Sequence, residues 1–172
     1  MIELLVLHSI FNKTSTMYSI KKYIETTFSP FITPSFGAVQ PALKRLEEKE
    51  CIKSGKLMSD GGRLSIYYTI TKKGKDELKR LILEDMSQNP SQFFLLSRLK
   101  LLMLNYLDCE ERKRLFLIIK SLAFKFKNEA LDLIKKEEGD FYYNIMLDNL
   151  ACEYANLLTV VESLEKNNAS NS

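Results

Sequence analysis

The chain has few of the residues on which metal sites, disulfide scaffolds and loop-rich folds depend. Its 172 residues include no Trp, 1 His, 3 Cys, 4 Pro and 6 Gly. Cys51, Cys109 and Cys152 are far apart and share no ligand spacing with the histidine, so neither a metal nor another cofactor is expected. Isolated thiols favour a reducing, cytoplasmic compartment. The scarcity of glycine and proline favours a mostly helical fold.

Long apolar runs and catalytic motifs are also missing. The most apolar run, FFLLSRLKLLMLNYL, is interrupted by Arg98 and Lys100 and is shorter than the roughly 20 residues that span a bilayer. The N-terminal segment carries Glu3 and lacks the pattern of a signal peptide. No phosphate-binding loop, Ser/His/Asp set or carboxylate pair indicates an enzyme, and His8 is expected to be a packed structural residue. The sequence therefore predicts a soluble, non-enzymatic protein without a membrane partner.

Positive charge is concentrated in the first half of the chain. Residues 1–86 carry 14 Lys or Arg and 10 Asp or Glu, a net charge of +4, whereas residues 87–172 carry 11 and 12, a net charge of −1. The total of +3 is too small to indicate a nucleic-acid partner by itself. Because all of the positive excess lies in residues 1–86, a nucleic-acid partner would be expected to bind that half of the chain.

The order of predicted elements in residues 1–86 is that of a winged helix-turn-helix domain. Apolar periodicity predicts a helix over residues 2–11, a second ending near Phe28 and a third within Pro34–Ile52. The segments IKSGKLMS and RLSIYYTIT flank SDGGR and predict a β-hairpin, and a fourth helix starts at Thr71. In this fold the third helix enters the major groove of DNA. The predicted fold class is mainly α with a small β-hairpin.

Several side chains of this domain are candidate DNA contacts. Basic side chains on the helices and hairpin can neutralise phosphates, or can be ordinary solvated surface. Serine and glutamine at the start of the third helix can read base edges, or can cap the helix. Of two adjacent tyrosines on a strand, only one is expected to reach DNA. The candidates are Ser35, Gln40, Lys44, Arg45, Lys21, Lys22, Arg63 and Tyr68.

The second half of the chain predicts a helical domain behind a short linker. SQNPS, residues 87–91, is the linker, and residues 92–166 contain the helical patterns Gln92–Leu107, Cys109–Glu137 and Asp140–Lys166. The polar tail, residues 167–172, is expected to be frayed.

The last of these helices has a heptad pattern that predicts dimerisation. From Tyr143 to Leu164 its apolar residues alternate four and three positions apart. Two long helices cannot bury such stripes alone, so a second copy of the chain is the simplest partner. The predicted dimer contacts are Leu150, Tyr154, Leu157 and Val161. The aromatics Phe93, Phe94, Tyr106 and Phe116 are either plain core or the lining of an effector pocket at the dimer interface.

Three segments of the first half together resemble the PadR family of bacterial transcriptional regulators. Tyr18–Lys22 resembles the GY(D/E)IKK segment of helix two, and Pro34–Glu47, PSFGAVQPALKRLE, resembles the recognition helix PSYGxIYPxLxRLE. Gly62–Gly74, GRLSIYYTITKKG, resembles the wing and the start of helix four. The helical second half resembles the longer-tailed branch of the family. The resemblance implies a homodimer, built from interlocking C-terminal helices, that binds an inverted-repeat operator.

The sequence departs from the family pattern in the recognition helix, in helix two and in the wing. Gln40 replaces a tyrosine, Met17 replaces a glycine, and Leu64-Ser65-Ile66 replaces proline followed by basic residues. The wing therefore lacks positive side chains that it would ordinarily offer to phosphates. The resemblance implies a repressor that a small aromatic effector releases from DNA. A virulence-activator-like protein of the same fold, or a winged helix that binds only proteins, remains an alternative.

Overall fold

The computed structural model describes residues 1–32, 36–58, 62, 64–136 and 139–170. For Phe36, Ala169 and Ser170 it describes the backbone alone. It has the predicted mainly α fold with a small antiparallel sheet. The chain divides into two compact units: unit 1 comprises Met1–Asp85 and Phe94–Tyr106, and unit 2 comprises Met86–Phe93 and Leu107–Ser172. Residues 94–106, assigned above to the C-terminal region, thus group with the N-terminal one.

Four helices form the body of unit 1. They are α1 (Ile2–Ser9), α2 (Met17–Phe28), α3 (Phe36–Glu48) and α4 (Lys72–Leu83). Their inward faces recur at helical spacing and are fully buried at Leu5, Ile20, Ile24, Leu46 and Leu78. This core fixes α3 on its inner side and leaves its outer side exposed.

A two-residue strand precedes α2. Ser15–Thr16 forms β1, which pairs antiparallel with Tyr68 and Tyr67. The N-cap of α2 is Thr16, whose side chain accepts a hydrogen bond from the Ser19 amide at 3.2 Å. Ser15 and Thr16 are held extended by their partners in the sheet, so the helix starts only after Thr16.

The hairpin consists of β2 (Ile52–Met58) and β3 (Leu64–Ile70), and the sheet order is β1-β3-β2. Ile52 lies opposite Ile70 and Met58 lies opposite Leu64. Gly62, with φ of +73°, is at the turn, where glycine adopts the left-handed conformation without strain. We call this hairpin the wing.

The wing and α4 meet at a close backbone contact. Thr71 caps α4 by accepting a hydrogen bond from the Gly74 amide at 3.0 Å, and its hydroxyl lies 2.8 Å from the Glu50 carbonyl oxygen. Gly74 is buried, and a Cβ atom there would overlap the carbonyl oxygen of Cys51. The absence of a side chain at Gly74 allows α4 to start directly against the base of the wing.

The second half of the chain contains α5 (Pro90–Leu101), a 3₁₀ turn (Leu104–Tyr106), α6 (Cys109–Lys135) and α7 (Phe141–Ser170). Pro90 and Ser91, predicted to end a linker, are the first two residues of α5. Asp108 and Glu111 form a capping box that starts α6.

α6 and α7 are antiparallel neighbours. Lys120 pairs with Glu165 at 2.7 Å, and near the other end Ala130 packs with Leu147 and Ala151. The predicted frayed tail is helical through Ser170. It is tied down because the Asn168 side chain accepts a hydrogen bond from Arg112 at 3.0 Å.

The heptad seam of α7 is buried inside the single chain. Tyr154 and Val161 are fully buried, Leu157 is nearly so, and Leu150 packs against the cluster around Ala130. This differs from the expectation that the four residues face a partner chain. The reason is length: α6 and α7 extend far enough alongside each other to cover their own apolar stripes.

Candidate nucleic-acid interface

The outer face of α3 is a polar, exposed surface on a rigid helix. Val39, Leu43 and Leu46 are buried, whereas Gln40 and Lys44 are exposed. The helix is continuous through Pro41. Proline crowds the carbonyl four residues earlier, and here that residue is Gly37, which has no atoms within 4 Å of its Cβ position.

Lys44 is the most available cation of α3. Its side chain is 79% exposed, and its ammonium lies 3.9 Å from the Glu48 carboxylate, the outer limit of an ion pair. An exposed i,i+4 pair of this kind stabilises a helix by only about 0.3–0.5 kcal/mol. A phosphate can therefore replace Glu48 as the partner of Lys44 at little cost.

Arg45, the next residue, points to a different neighbour. Its Nε donates to Oε1 of Glu3 on α1 at 2.6 Å, and Lys49 donates to Oε2 of the same carboxylate at 3.1 Å. Burial alone would raise the pKa of Glu3, but the hydrogen bonds from Arg45 and Lys49 outweigh it and hold that pKa below its ordinary value. Arg45 therefore fastens α3 to α1, and its contact with DNA stays a prediction.

The two lysines of α2 differ in the same way. Lys21 is buried, and its ammonium lies 3.6 Å from the Glu25 carboxylate. Lys22 is exposed. Adjacent residues of an α-helix point about 100° apart around its axis. Lys21 therefore lies along the protein surface, whereas Lys22 projects into solvent. Lys22 is the better placed of the two to meet a phosphate.

The wing is fixed to α3 through Glu47. The Glu47 carboxylate accepts hydrogen bonds from both the amide, at 3.2 Å, and the hydroxyl of Ser54 on β2. Tyr68 lies opposite Ser54 and is half-buried; burial, and then the charge of Glu47, raises the pKa of its hydroxyl. Lys53 and Lys56 are exposed on the same hairpin. Two other candidates, Ser35 and Arg63, lie outside the described residues.

Comparison with known proteins places this domain in a family. A family model described as "Transcriptional regulator PadR-like family" matches residues 6–80. A PadR family transcription regulator from Clostridium difficile is 34% identical over 45% of this chain and 79% of that one, with a TM-score of 0.40. The chain belongs to the PadR-like family of transcriptional regulators.

Other PadR structures are similar at lower identity. Bacillus subtilis PadR in complex with operator DNA is 20% identical over 96% of this chain and 98% of that one, with a TM-score of 0.46. The same protein in complex with p-coumaric acid is 20% identical over 98% of each chain, with a TM-score of 0.44. The search of curated proteins gave no match. Within the described residues, no helix has the length and apolar character needed to cross a membrane.

The aromatic residues predicted to line an effector pocket in this PadR-like protein belong to different clusters. Phe93 is fully buried in unit 2, with ring centroids 5.3 Å from Phe126 and 6.3 Å from Tyr154. Phe116 is also fully buried. Phe94 belongs to unit 1, where the Arg98 guanidinium lies 5.4 Å from its ring centroid.

Lys100 has a structural role. It is buried, and its ammonium donates to the carbonyl oxygen of Glu84 at the end of α4, where a cation also complements the helix dipole. Desolvation lowers the pKa of Lys100, although Glu84 and Asp85 act in the opposite direction. Arg98, the other cation of α5, is exposed.

His8 connects three elements of unit 1, which the sequence analysis did not anticipate. Its Nδ1 lies 2.9 Å from the Tyr106 hydroxyl and its Nε2 lies 3.1 Å from the Tyr23 hydroxyl. The ring also packs edge-on against Phe28 at 5.3 Å. Sequence could not reveal this, because Tyr106 is 98 residues from His8. The cluster joins α1, α2 and the 3₁₀ turn.

Proposed function

We propose that the chain is a transcriptional repressor that binds an inverted-repeat operator in duplex DNA as a homodimer. The single observation that carries the DNA-binding part is the outer face of α3. There Gln40 and Lys44 stand exposed on a helix whose inner side is anchored by the core and by the Arg45–Glu3 pair. An amide side chain can pair with adenine and a lysine can neutralise a phosphate. Membership of the PadR-like family supports this use of the helix.

The homodimer rests on apolar surface that the single chain leaves uncovered. At the start of α7, five large apolar residues are exposed, and Leu117 and Phe124 are exposed on α6. The five are Phe141, Tyr142, Tyr143, Ile145 and Met146. Phe141, Tyr142, Ile145 and Met146 recur four positions apart on one face of the helix, which we call the α7 patch. Exposed patches of this kind usually mark an interface.

The proposal also includes a small aromatic effector that binds the protein and releases it from DNA. The exposed Arg98 over the Phe94 ring offers a cation beside an aromatic face, which suits a small aromatic carboxylate. Phe93 and Phe116 are packed in the core, so an effector would reach them only by displacing neighbours. Thermal-shift measurements with phenolic acids, for the wild type and Arg98→Ala, test this part. Stabilisation of both proteins to the same extent would argue against a role of Arg98.

Selection from a random pool of duplexes at low salt tests the central proposal. We expect an enriched palindrome whose half-sites lie about 34–36 Å apart, one turn of DNA, as a two-fold dimer of recognition helices requires. Lys44→Ala should bind this sequence more weakly, with a smaller dependence on salt. Failure to enrich any palindrome would favour a protein-binding winged helix. A promoter reporter then separates a repressor from an activator of the same fold.

A further inference from the structure

One imidazole ring bridges three elements of unit 1. The Nδ1 atom of His8, on α1, lies 2.9 Å from the hydroxyl of Tyr106 in the 3₁₀ turn. Its Nε2 atom lies 3.1 Å from the hydroxyl of Tyr23 on α2. A neutral imidazole has one donor and one acceptor nitrogen, so His8 donates to one tyrosine and accepts from the other. We call His8, Tyr23 and Tyr106 the His8 bridge.

Two aromatic neighbours hold the ring of Tyr106. It packs edge-on against His8 at a centroid distance of 5.5 Å, and tilted against Phe11 at 4.4 Å. The Lys75 ammonium of α4 lies 5.1 Å from the centroid of the Phe11 ring. The 3₁₀ turn is therefore attached to α1, to the segment that follows α1 and, through Phe11, to α4.

Polar contacts stand at the places where the chain leaves unit 1. The chain leaves this unit after Asp85, returns at Phe94 and leaves again after Tyr106, just before α6. Beside the first exit, buried Lys100 donates to the carbonyl oxygen of Glu84. The second exit is held by the His8 bridge. Both exits are thus attached to the body of unit 1 by directional hydrogen bonds.

The His8 bridge is polar, whereas the core of unit 1 is aliphatic. His8 and Tyr106 are half-buried, and Tyr23 is 39% exposed. Hydrogen bonds that water can replace add modestly to stability, but their directionality fixes how the joined groups are oriented. The bridge is therefore better suited to hold the 3₁₀ turn in a defined place than to hold unit 1 together.

We propose that His8 is a positioning residue for DNA binding: through Tyr106 it fixes the point from which the chain leaves unit 1, and thereby the separation of the two α3 helices in the dimer. The inference rests on the proposed binding of an inverted repeat by a homodimer. It assigns a role in DNA binding to the only histidine of the chain, which lies on α1 rather than on the helix that carries Gln40 and Lys44.

A fixed exit matters because a dimer must present two α3 helices to half-sites at one spacing. On a palindrome, binding of the second half-site is intramolecular, and its effective concentration is highest when the link between the two binding units matches their span. In the proposed dimer this link passes through both copies of unit 2, which contains the α7 patch. An exit that is free to move would spread the α3 helices over many separations and lower the effective concentration.

The test compares affinity for a palindromic operator with affinity for a duplex that carries one half-site. Tyr106→Phe keeps the ring and removes only the hydroxyl that meets His8. We expect it to lower the ratio of the two affinities at least about tenfold and to leave the half-site affinity unchanged. Tyr23→Phe is the matched control, because it removes a hydroxyl from the same imidazole but leaves the bond at the exit. It should keep the wild-type ratio.

Two further measurements separate positioning from packing. His8→Leu removes the other partner of the exit bond, so it should lower the ratio as Tyr106→Phe does. The double variant should lose no more than either single variant, because the two residues act through one bond. One base pair inserted between the half-sites should weaken binding by the wild type more than binding by Tyr106→Phe, whose looser exit tolerates the altered spacing.

Four results would overturn the inference. If Tyr106→Phe keeps the wild-type ratio while Lys44→Ala weakens binding, the bridge only packs and the proposed function stands. If Tyr23→Phe lowers the ratio equally, the exit is not the cause. If Tyr106→Phe weakens binding to both duplexes equally, or sediments as a monomer, the bond acts on folding or assembly. If the wild type binds no palindrome, the proposed function fails and the inference fails with it. Circular dichroism melts and sedimentation of each variant distinguish these cases.

Discussion

Two adjacent cations of α3 have different roles. Lys44 projects into solvent, whereas Arg45 donates to the mostly buried carboxylate of Glu3. We predict that Arg45→Ala lowers the free energy of unfolding by about 1–2 kcal/mol, since a charge-assisted hydrogen bond is lost. Lys44→Ala should change it by less than about 0.5 kcal/mol. Urea unfolding of both variants measures the contrast, and equal losses would contradict it.

The sequence could not separate these two residues. Both belong to the motif that resembles the family's recognition helix, and both carry the positive charge that phosphates attract. The difference comes from Glu3, which is 42 residues earlier in the chain and reaches Arg45 only in the folded protein. Periodicity correctly predicted the buried face of α3, because burial repeats along the helix; it could not predict which partner a charged side chain finds across the fold.

His8 makes the stability of unit 1 depend on pH. Burial lowers its pKa below the ordinary value of 6.5, so the unfolded chain binds a proton at a pH where the folded chain does not. The contribution of neutral His8 to the free energy of unfolding is therefore fully present above pH 6.5. It is lost as the pH falls from 6.5 toward the lower pKa that His8 has in the folded chain.

The neutral variant His8→Gln provides the comparison for this effect. We predict that the difference in unfolding free energy between the wild type and His8→Gln shrinks between pH 7.5 and pH 5, since only the wild type must keep an uncharged imidazole folded. Urea unfolding across this range measures it. A difference that stays constant with pH would show that the pKa of His8 is the same in the folded and unfolded chains.

At the scale of elements, Gly74 sets the contact between α4 and the wing. A methyl group at this position would overlap the Cys51 carbonyl oxygen, which is backbone and cannot rotate away. We predict that Gly74→Ala costs at least about 2 kcal/mol of unfolding free energy, as overpacking does. Gly37→Ala is the matched control, because its Cβ position on α3 is open. That change should leave stability unchanged or raise it by up to about 1 kcal/mol.

The elements themselves were largely predictable, and the exceptions have physical causes. The helices and the hairpin follow from apolar periodicity and the Asp-Gly-Gly turn. β1 was missed because a strand of two residues, Ser15 and Thr16, is too short to show alternation. The end of α7 was missed because the polar tail shows no apolar stripe, while the hydrogen bond between Arg112 and Asn168 holds it in the fold.

At the scale of the whole molecule, a heptad seam identifies a packing surface but not its partner. The spacing in α7 predicted that Tyr154 and Val161 would be buried, and they are. It assigned them to a second chain, because the sequence alone does not show that α6 returns alongside α7. Since α6 is 27 residues long and antiparallel to α7, it covers the seam within one chain. We therefore propose that a dimer uses residues outside the seam.

The α7 patch is the surface on which we expect such a dimer to form. Ile145 and Met146 are among its exposed members, and a carboxylate placed there would have to be desolvated in an apolar interface. We predict that the wild type sediments at about twice its mass of 19.9 kDa at micromolar concentration. Ile145→Asp/Met146→Asp should sediment as a folded monomer, because both side chains already lie in water in the single chain.

Two control variants distinguish loss of the dimer interface from unfolding of the chain. Asn156→Asp adds a charge at an exposed position of the same helix without removing apolar surface, and it should remain a dimer. Val161→Asp places a charge in the intrachain seam, so it should unfold α6 and α7 rather than simply dissociate the dimer. A monomeric variant should also lose most of its operator affinity, because two linked half-sites bind far more tightly than one. If Ile145→Asp/Met146→Asp remains a dimer with full operator affinity, the two chains meet on another surface.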